Sequence, residues 1–239
     1  LGLLTSIIAA VFYLREKRRR EELEMITQID ALERSAIQAQ MNPHFVFNSL
    51  NSIQHFILES DTKQAVYYLA RFASLIRKTL RASVDGPHSL KEEIEMLKIY
   101  LALEKLRFKD TFDYQITIAP NINPEGIYLA PMLVQPFVEN AIIHGVADMD
   151  RGGLITVHFG RSSQEIQVTI TDNGKGFDPE GIDANSSLGV SITRKRLNKN
   201  LNNKQLDGLR IEPRRNQEGQ PAGTVVHLRI KPVKTSRSD

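Results

Sequence analysis

The chain contains no cysteine. A disulfide scaffold, a thiolate zinc site, an iron–sulfur cluster and a cysteine nucleophile are therefore excluded, and a reducing compartment fits best. The strings that mark several common enzyme classes are missing too. No G-x-x-x-x-G-K-[ST] occurs, which removes the P-loop enzymes. No H-E-x-x-H and no G-x-S-x-G occur, so zinc-protease and serine-hydrolase readings have nothing to stand on. No run reaches the roughly 20 apolar residues that a bilayer-spanning helix needs, and no internal repeat is present. A broad basic face is also lacking. The net charge is +3, from 31 basic and 28 acidic residues, and the pI is near 9.1. Arg15, Lys17, Arg18, Arg19 and Arg20 against Glu16 give +4, so the rest of the chain sums to −1. One local cluster explains the pI, and direct binding of nucleic acid is not expected.

What is present is ordinary globular composition, 41% hydrophobic and 25% charged over 239 residues, enough for one large domain or two small ones. The basic cluster directly follows the apolar run of residues 1–14, LGLLTSIIAAVFYL, whose first residue is Leu rather than Met. Apolar residues followed at once by Arg and Lys match the cytoplasmic end of a membrane helix, whereas a signal peptide carries its charge before the apolar run. Residues 1–14 are expected to be the tail of a transmembrane helix. That places the protein in the cytoplasmic (inner) membrane with everything from Arg15 onward in the cytoplasm. A buried core helix is the alternative.

Beyond the cluster, residues 21–40 lack Gly and Pro and repeat Leu23, Ile26, Ile29, Leu32, Ala36 and Ile37, which predicts a helix or short coiled coil. In residues 40–57, Val46, Leu50, Ile53 and Ile57 form an apolar stripe, and His44, Asn48, Asn51 and His55 form a polar one at the same spacing. Pro43 predicts a kink or helix start beside His44. A second helix places Ala65, Leu69, Phe72, Ile76 and Leu80 on one side. Two amphipathic helices joined by Ser60-Asp61-Thr62 make an antiparallel hairpin. A lone hairpin cannot bury both apolar faces, so a four-helix bundle from two chains is expected. Asp85-Gly86-Pro87 breaks the pattern, and a further helix runs from Leu90 to about Phe108 with Leu90, Ile94, Leu97 and Leu101 inward.

The period then changes to two. Residues 113–119, 154–159, 165–171 and 224–230 alternate like half-buried strands, with helices at 132–144 and 189–200 between them. The second half reads as a mixed, mainly antiparallel sheet with helices on one face, an α+β arrangement.

Three strings in this half are compatible with ligand chemistry. Asp172-Asn-Gly174-Lys-Gly176-Phe177 ends a strand with a carboxylate and two glycines that let backbone amides approach a ligand; an ordinary Asn-Gly turn reads the same way. In PMLVQPFVENAIIHG (residues 131–145), helical spacing groups Gln135, Glu139 and Asn140, with His144 a turn beyond Asn140. These are hard oxygen ligands suited to Mg²⁺, or the polar outer edge of a capping helix. Ser187-Leu188-Gly189 precedes a helix with Arg194, Lys195 and Arg196, a possible phosphate site or a simple cap. His44 and His55 lie roughly 16 Å apart along one helix and cannot share a metal. His55, His88, His158 and His227 read as ordinary surface histidines.

Taken in order, these strings resemble the cytoplasmic part of a sensor histidine kinase of the LytS/YehU type. That family pairs a dimerising helical hairpin with an ATP-binding domain of the gyrase/Hsp90/histidine-kinase/MutL (GHKL) superfamily. The resemblance runs from about residue 39 to 230 and is most specific in QMNPHFVFNSLNSI, with SLKEEIEMLKIYLALEKLRF and PMLVQPFVENAIIHG also family-like. It implies an N-terminal hairpin that forms a four-helix bundle in a homodimer, followed by an α/β two-layer sandwich. It implies that His44 is the phosphoacceptor, and a neutral imidazole nitrogen is a good nucleophile near pH 7. Asn48, one turn on, would orient the ring. Asp172 would receive the adenine amino group, with Gly174, Gly176 and Phe177 shaping the pocket. Asn140 would hold Mg²⁺ with Glu139 as ligand or polarising group, and His144 and Gly145 would lie on the nucleotide side. Leu188 and Gly189 would cradle phosphates from a lid at residues 177–187, and Thr224 resembles the final Gly-Thr of the pocket.

Three departures from the family pattern stand out. Ile143 occupies a position where relatives often have Lys, the lid glycines are reduced to Ser187-Leu188-Gly189, and Phe45 rather than an acid follows His44. The domain limits implied are 1–14 membrane tail, 15–40 signalling helix, 41–84 phosphoacceptor hairpin, 85–110 linker helix, 111–232 ATP-binding domain and 233–239 tail. The function implied is ATP-dependent autophosphorylation on His44, then transfer to an Asp of a response regulator, by family expectation of the LytTR type. The alternative is a nucleotide-binding pseudokinase or scaffold without phosphotransfer. An ATPase clamp would want a water-activating Glu four residues before Asn140, where Pro136 stands.

Overall fold

The computed structural model describes residues 12–17, 19–20, 43–162, 164–176, 193–197, 208–216 and 218–233. The coiled coil expected at 21–40, most of the apolar run at 1–14, and the lid with Phe177, Leu188 and Gly189 lie outside them. The chain divides into two compact units, Leu1–Val46 and Phe47–Asp239. In the first, residues 12–17 and 19–20 are helical with exposed side chains. Among the described residues no helix is long and apolar enough to cross a membrane.

Helix α1, Pro43–Leu58, opens on Pro43, whose missing N–H costs nothing in a first helical turn. It stops at Ser60, which takes a left-handed φ of 59°. Helix α2, Thr62–Asp85, is capped by Asp61, whose Oδ1 accepts from Gln64 N at 3.1 Å, and ends at Gly86 with φ 83°. Within the second unit the two helices meet through Ser49 and Phe56 on α1 and Tyr68 on α2. Tyr68 is fully buried, its hydroxyl donates to Ser49 Oγ at 3.4 Å, and its ring lies 5.9 Å from that of Phe56.

Only part of each apolar stripe read from the sequence is buried within the hairpin. On α2 the buried positions are Ala65, Tyr68, Leu75, Thr79 and Ala82, while Leu69 and Leu80 are 50% and 43% exposed. On α1, Ile53 is buried, but Leu50 and Ile57 are 49% and 61% exposed. The inward face is carried by residues with hydroxyls that find partners, Tyr68 and Ser49 among them, and an apolar count passes over these.

A two-stranded link follows. β1, His88–Ser89, pairs antiparallel with β3, Tyr128–Leu129. Helix α3, Leu90–Arg107, starts in a full capping box between Ser89 and Glu92, which satisfies two otherwise orphaned amides. Leu90, Ile94, Leu97 and Leu101 are all buried, as their spacing required. His88 and Glu93 form a buried pair, Nε2 to Oε2 2.7 Å, so His88 is not the surface histidine expected. Lys109 and Asp110 take left-handed φ values of 51° and 59° and turn the chain into the sheet.

The sheet has five strands in the order β2-β4-β5-β7-β6: β2 Phe112–Ile118, β4 Gly153–Ser162, β5 Glu165–Asp172, β6 Leu209–Arg215 and β7 Pro221–Ile230. β2 runs parallel to β4, and the other neighbours are antiparallel. Alternate residues Ile155, Val157 and Phe159, then Ile166, Val168 and Ile170, then Val226, Leu228 and Ile230 are buried, the signature of a sheet with one covered face. β6 was not foreseen. The helix expected at 132–144 is shorter than its pattern: Met132 has φ 58°, α4 covers only Gln135–Asn140, and a π-helical turn follows at Ala141–Val146. The architecture is the expected α+β one, a helical hairpin ahead of an α/β two-layer sandwich.

Candidate functional site

β5 delivers Asp172 to the end of the central strand, where it is 3% exposed. Burial pushes its carboxyl above the ordinary range, while the amides of Gly174 and Thr224, the Thr224 hydroxyl and the Arg214 charge pull it down. Gly174 N donates to Oδ1 at 2.9 Å. A carboxylate held this way keeps lone pairs for a donor entering from outside.

The walls of the site are main chain. A Cβ on Gly174 would lie 2.2 Å from the carbonyl oxygen of Gly145, and one on Gly145 would lie 2.9 Å from Asp172 Cγ. Gly145 belongs to the π-helical turn, in which Ala147 N donates five residues back to Ile142 O at 2.8 Å. Such wide turns recur at functional sites, and here the turn sets Gly145 against the end of β5. Lys175 N reaches Gly145 O at 3.4 Å. On the opposite side Gly223 backs onto Asp172, and Gly176 sits beside Gly223. The structure thus brings Gly145, Asp172, Gly174, Gly176 and Thr224 into one cluster.

Asn173, inside the same string, faces the other way. Its Oδ1 accepts from Leu154 N at 2.6 Å and its Nδ2 donates to Gly152 O at 2.9 Å. It is a strut between β4 and β5, which the Asn-Gly reading of the motif did not foresee.

Glu139 and Asn140 are half-buried at the end of α4, and Gln135 Nε2 donates to Glu139 Oε1 at 3.0 Å, one turn along as the spacing required. His144 is exposed. Residues 193–197 are helical, and Arg196 Nη2 donates to Pro131 O at 2.8 Å, fastening this helix to the segment that leads into α4. His44 and Asn48 share helix α1; the His44 side chain lies outside what is described. Arg214, from the unforeseen β6, donates Nη1 to the Asp172 carbonyl at 3.3 Å. Its only sequence signal was a charged residue two positions before Asn216, where a polar Asn–Gly-containing turn begins.

Residues 32–112 match the family model described as histidine kinase, and residues 130–234 the one described as histidine kinase-, DNA gyrase B- and HSP90-like ATPase. Sensor histidine kinase YpdA of Escherichia coli (strain K12) is 33% identical over 183 residues, 74% of this chain and 31% of that protein. Sensor protein LytS of Streptococcus mutans is 33% identical over 178 residues, 71% of this chain and 30% of that protein. Sensor histidine kinase BtsS of Escherichia coli (strain K12) is 32% identical over 195 residues, 82% of this chain and 32% of that protein. The chain therefore spans about a third of the length of these relatives. Two family models that follow one another along most of the chain, with relatives of the LytS kind at this identity, show that the chain belongs to the sensor histidine kinases and carries their GHKL ATPase domain.

Proposed function

We propose that the protein is the kinase portion of a two-component sensor, which phosphorylates itself on His44 and passes the phosphoryl group to an Asp of a response regulator. An ATPase domain of this group implies ATP binding. The observation that carries the reading is the buried Asp172 carboxyl at the end of β5, walled by glycine main chain and reached by Thr224. A flat aromatic base with an amino group suits such a slot, because its face meets backbone and its N–H meets a fixed acceptor.

ATP supplies the phosphoryl group and Mg²⁺ would neutralise its charge. Among the described residues no three His, Asp or Glu side chains converge on a metal position. This fits a Mg²⁺ that rests on few protein oxygens and completes its shell with phosphate and water, with Asn140 and Glu139 as the protein ligands. In this reading Asp172 accepts the adenine amino hydrogen. Gly174, Gly176 and Phe177 shape the base pocket, and His144 and Gly145 border it. Leu188 and Gly189 present amides to the phosphates, and Thr224 braces Asp172. A ring nitrogen of His44 would bond to the γ-phosphorus as the bond to the β–γ bridging oxygen breaks. ADP would leave with that oxygen and the imidazole would release its proton, with Asn48 orienting the ring. Most of the rate would come from positioning and charge neutralisation.

The exposed apolar residues Leu50 and Ile57 on α1 and Leu69 and Leu80 on α2 support the homodimer with a four-helix bundle, within the domain limits given above. The membrane tail before Arg15, the cytoplasmic placement and a regulator of the LytTR type belong to the same proposal. Incubation with γ-labelled ATP and Mg²⁺ tests it. Acid-labile, alkali-stable label on the wild type, lost in His44→Ala and in Asp172→Ala, is the expected result. Label retained by His44→Ala would remove the acceptor assignment, and ATP binding with no label on any form would favour the pseudokinase reading.

A further inference from the structure

Strands β5 and β7 pair from Ile166↔Ile230 to Thr171↔Val225, one rung short of Asp172. Beyond that rung β7 is irregular. Its pairing with β6 steps from Pro213↔Thr224 to Arg215↔Pro221, so two steps on β6 face three on β7, a β-bulge. Bulges at sheet edges re-aim side chains, and Arg214 stands at this one. Gly223, in the bulged stretch, has φ 120°, and a Cβ there would lie 2.0 Å from the Asp172 carbonyl oxygen. That is the oxygen to which Arg214 Nη1 donates at 3.3 Å. The missing side chain at Gly223 clears the way for an edge-strand guanidinium to cross β7 and reach the end of β5.

We infer that Arg214 is a positioning residue of the nucleotide site: across the Gly223 gap it holds the Asp172 main chain and places a fixed positive charge beside the carboxylate that receives the base. The inference rests on the reading of Asp172 given above. Two consequences are separate. The hydrogen bond to the carbonyl fixes where the carboxylate points, which acts at every pH. The charge opposes the effect of burial on the carboxyl and keeps it an ionised acceptor into more acid solution. The other groups bonded to that carboxyl, Gly174 and Thr224, are neutral. Of the charged neighbours, Lys175 is paired with Asp148 at 2.9 Å, and His144 on the π-helical turn is exposed.

The test is calorimetric titration of ATP·Mg²⁺ into the chain between pH 5.5 and 8, for wild type, Arg214→Met, Arg214→Lys and Asp172→Asn. Taking each variant's affinity as a ratio to wild type at the same pH cancels the ionisation of the nucleotide itself. Arg214→Met is expected to bind about threefold to tenfold more weakly at pH 8, the range covered by one hydrogen bond, and the ratio is expected to widen as pH falls. Arg214→Lys keeps the charge and should remove the widening while leaving part of the uniform loss. A merely structural arginine would lower the melting temperature without tilting the pH profile. A flat ratio, or Arg214→Met binding as wild type, overturns the inference if Asp172→Asn is impaired. Asp172→Asn binding as wild type overturns the reading of Asp172, and the inference with it.

Discussion

Asp172 shows at the scale of one residue how a site can cost a fold something. Its carboxyl is buried and its proton affinity raised, so folding shifts the group toward its neutral form relative to the unfolded chain. The contribution to stability is fully present below the unfolded carboxylate range and is lost as pH rises through the folded value. The melting temperature of the nucleotide-free wild type, taken relative to Asp172→Asn, is therefore expected to fall between pH 4 and pH 7. Other carboxylates cancel in that difference, and a difference constant with pH would show that burial does not shift the group. The same substitution is expected to weaken ATP binding by about tenfold. Asn offers one acceptor oxygen, where Asp172 already receives Gly174 N on Oδ1 and, as the proposed base acceptor, would need a further oxygen. Gly174 is the sharper steric case. With its Cβ 2.2 Å from Gly145 O, Gly174→Ala must part β5 from the π-helical turn. The expected cost is about 1–3 kcal/mol, as for other overpacking changes, with loss of ATP binding, read by denaturant melts and titration.

At the scale of elements, the parts easiest to read were those whose side chains repeat one environment. Helix α3 carries its inward leucines and isoleucine at regular spacing, and its start is written in Ser89 and Glu92. The strands β2, β4, β5 and β7 alternate between core and solvent and were found within a few residues of their ends. What was hidden depends on partners distant in sequence. β1 and β3 have two residues each, too few for any period. β6 contains Pro213 and three arginines at a sheet edge, where half-exposed strands need no apolar alternation. The π-helical turn exists because Gly145 has to meet Asp172 and Gly174, a contact between segments about thirty residues apart. Of the site, Asp172 and its glycines were legible as a motif, whereas Arg214 was not, because its role depends on the bulge in β7.

Helix α3 also carries a buried ion pair. Glu104 is 1% exposed and its carboxylate is bridged by Arg107, whose Nε lies 3.1 Å from both oxygens. Arg107→Ala leaves that carboxylate without its guanidinium in the core between the hairpin and the sheet. A loss of about 3–5 kcal/mol is expected, measured by urea unfolding. Glu104→Gln together with Arg107→Met is expected to recover most of it, because the buried charge is then gone. A single variant as stable as wild type would show that Arg107 is not what balances Glu104.

For the whole molecule, the decisive quantity is the apolar surface that one chain cannot cover. In the hairpin, Tyr68, Ser49 and Leu75 face inward, and this choice turns Leu50, Ile57, Val66, Leu69, Leu80 and Val84 outward, each more than two-fifths exposed. Monomeric proteins seldom leave large apolar patches in water, and two hairpins that shared these residues would form the proposed four-helix bundle. Burying a leucine side chain is worth about 1.5–3 kcal/mol, and in a symmetric pair each substitution acts twice. Ile57→Glu combined with Leu69→Glu is therefore expected to convert a dimer into monomers in light scattering, while ATP titration, which reads the ATPase domain alone, stays at the wild-type value. Autophosphorylation separates the two levels. If His44 receives phosphate only in the assembled bundle, the monomeric variant binds ATP without labelling, and mixing it with a dimerising chain does not restore label. Should the double variant remain dimeric, the apolar stripe is not the interface, and the outward faces of α1 and α2 need a different occupant.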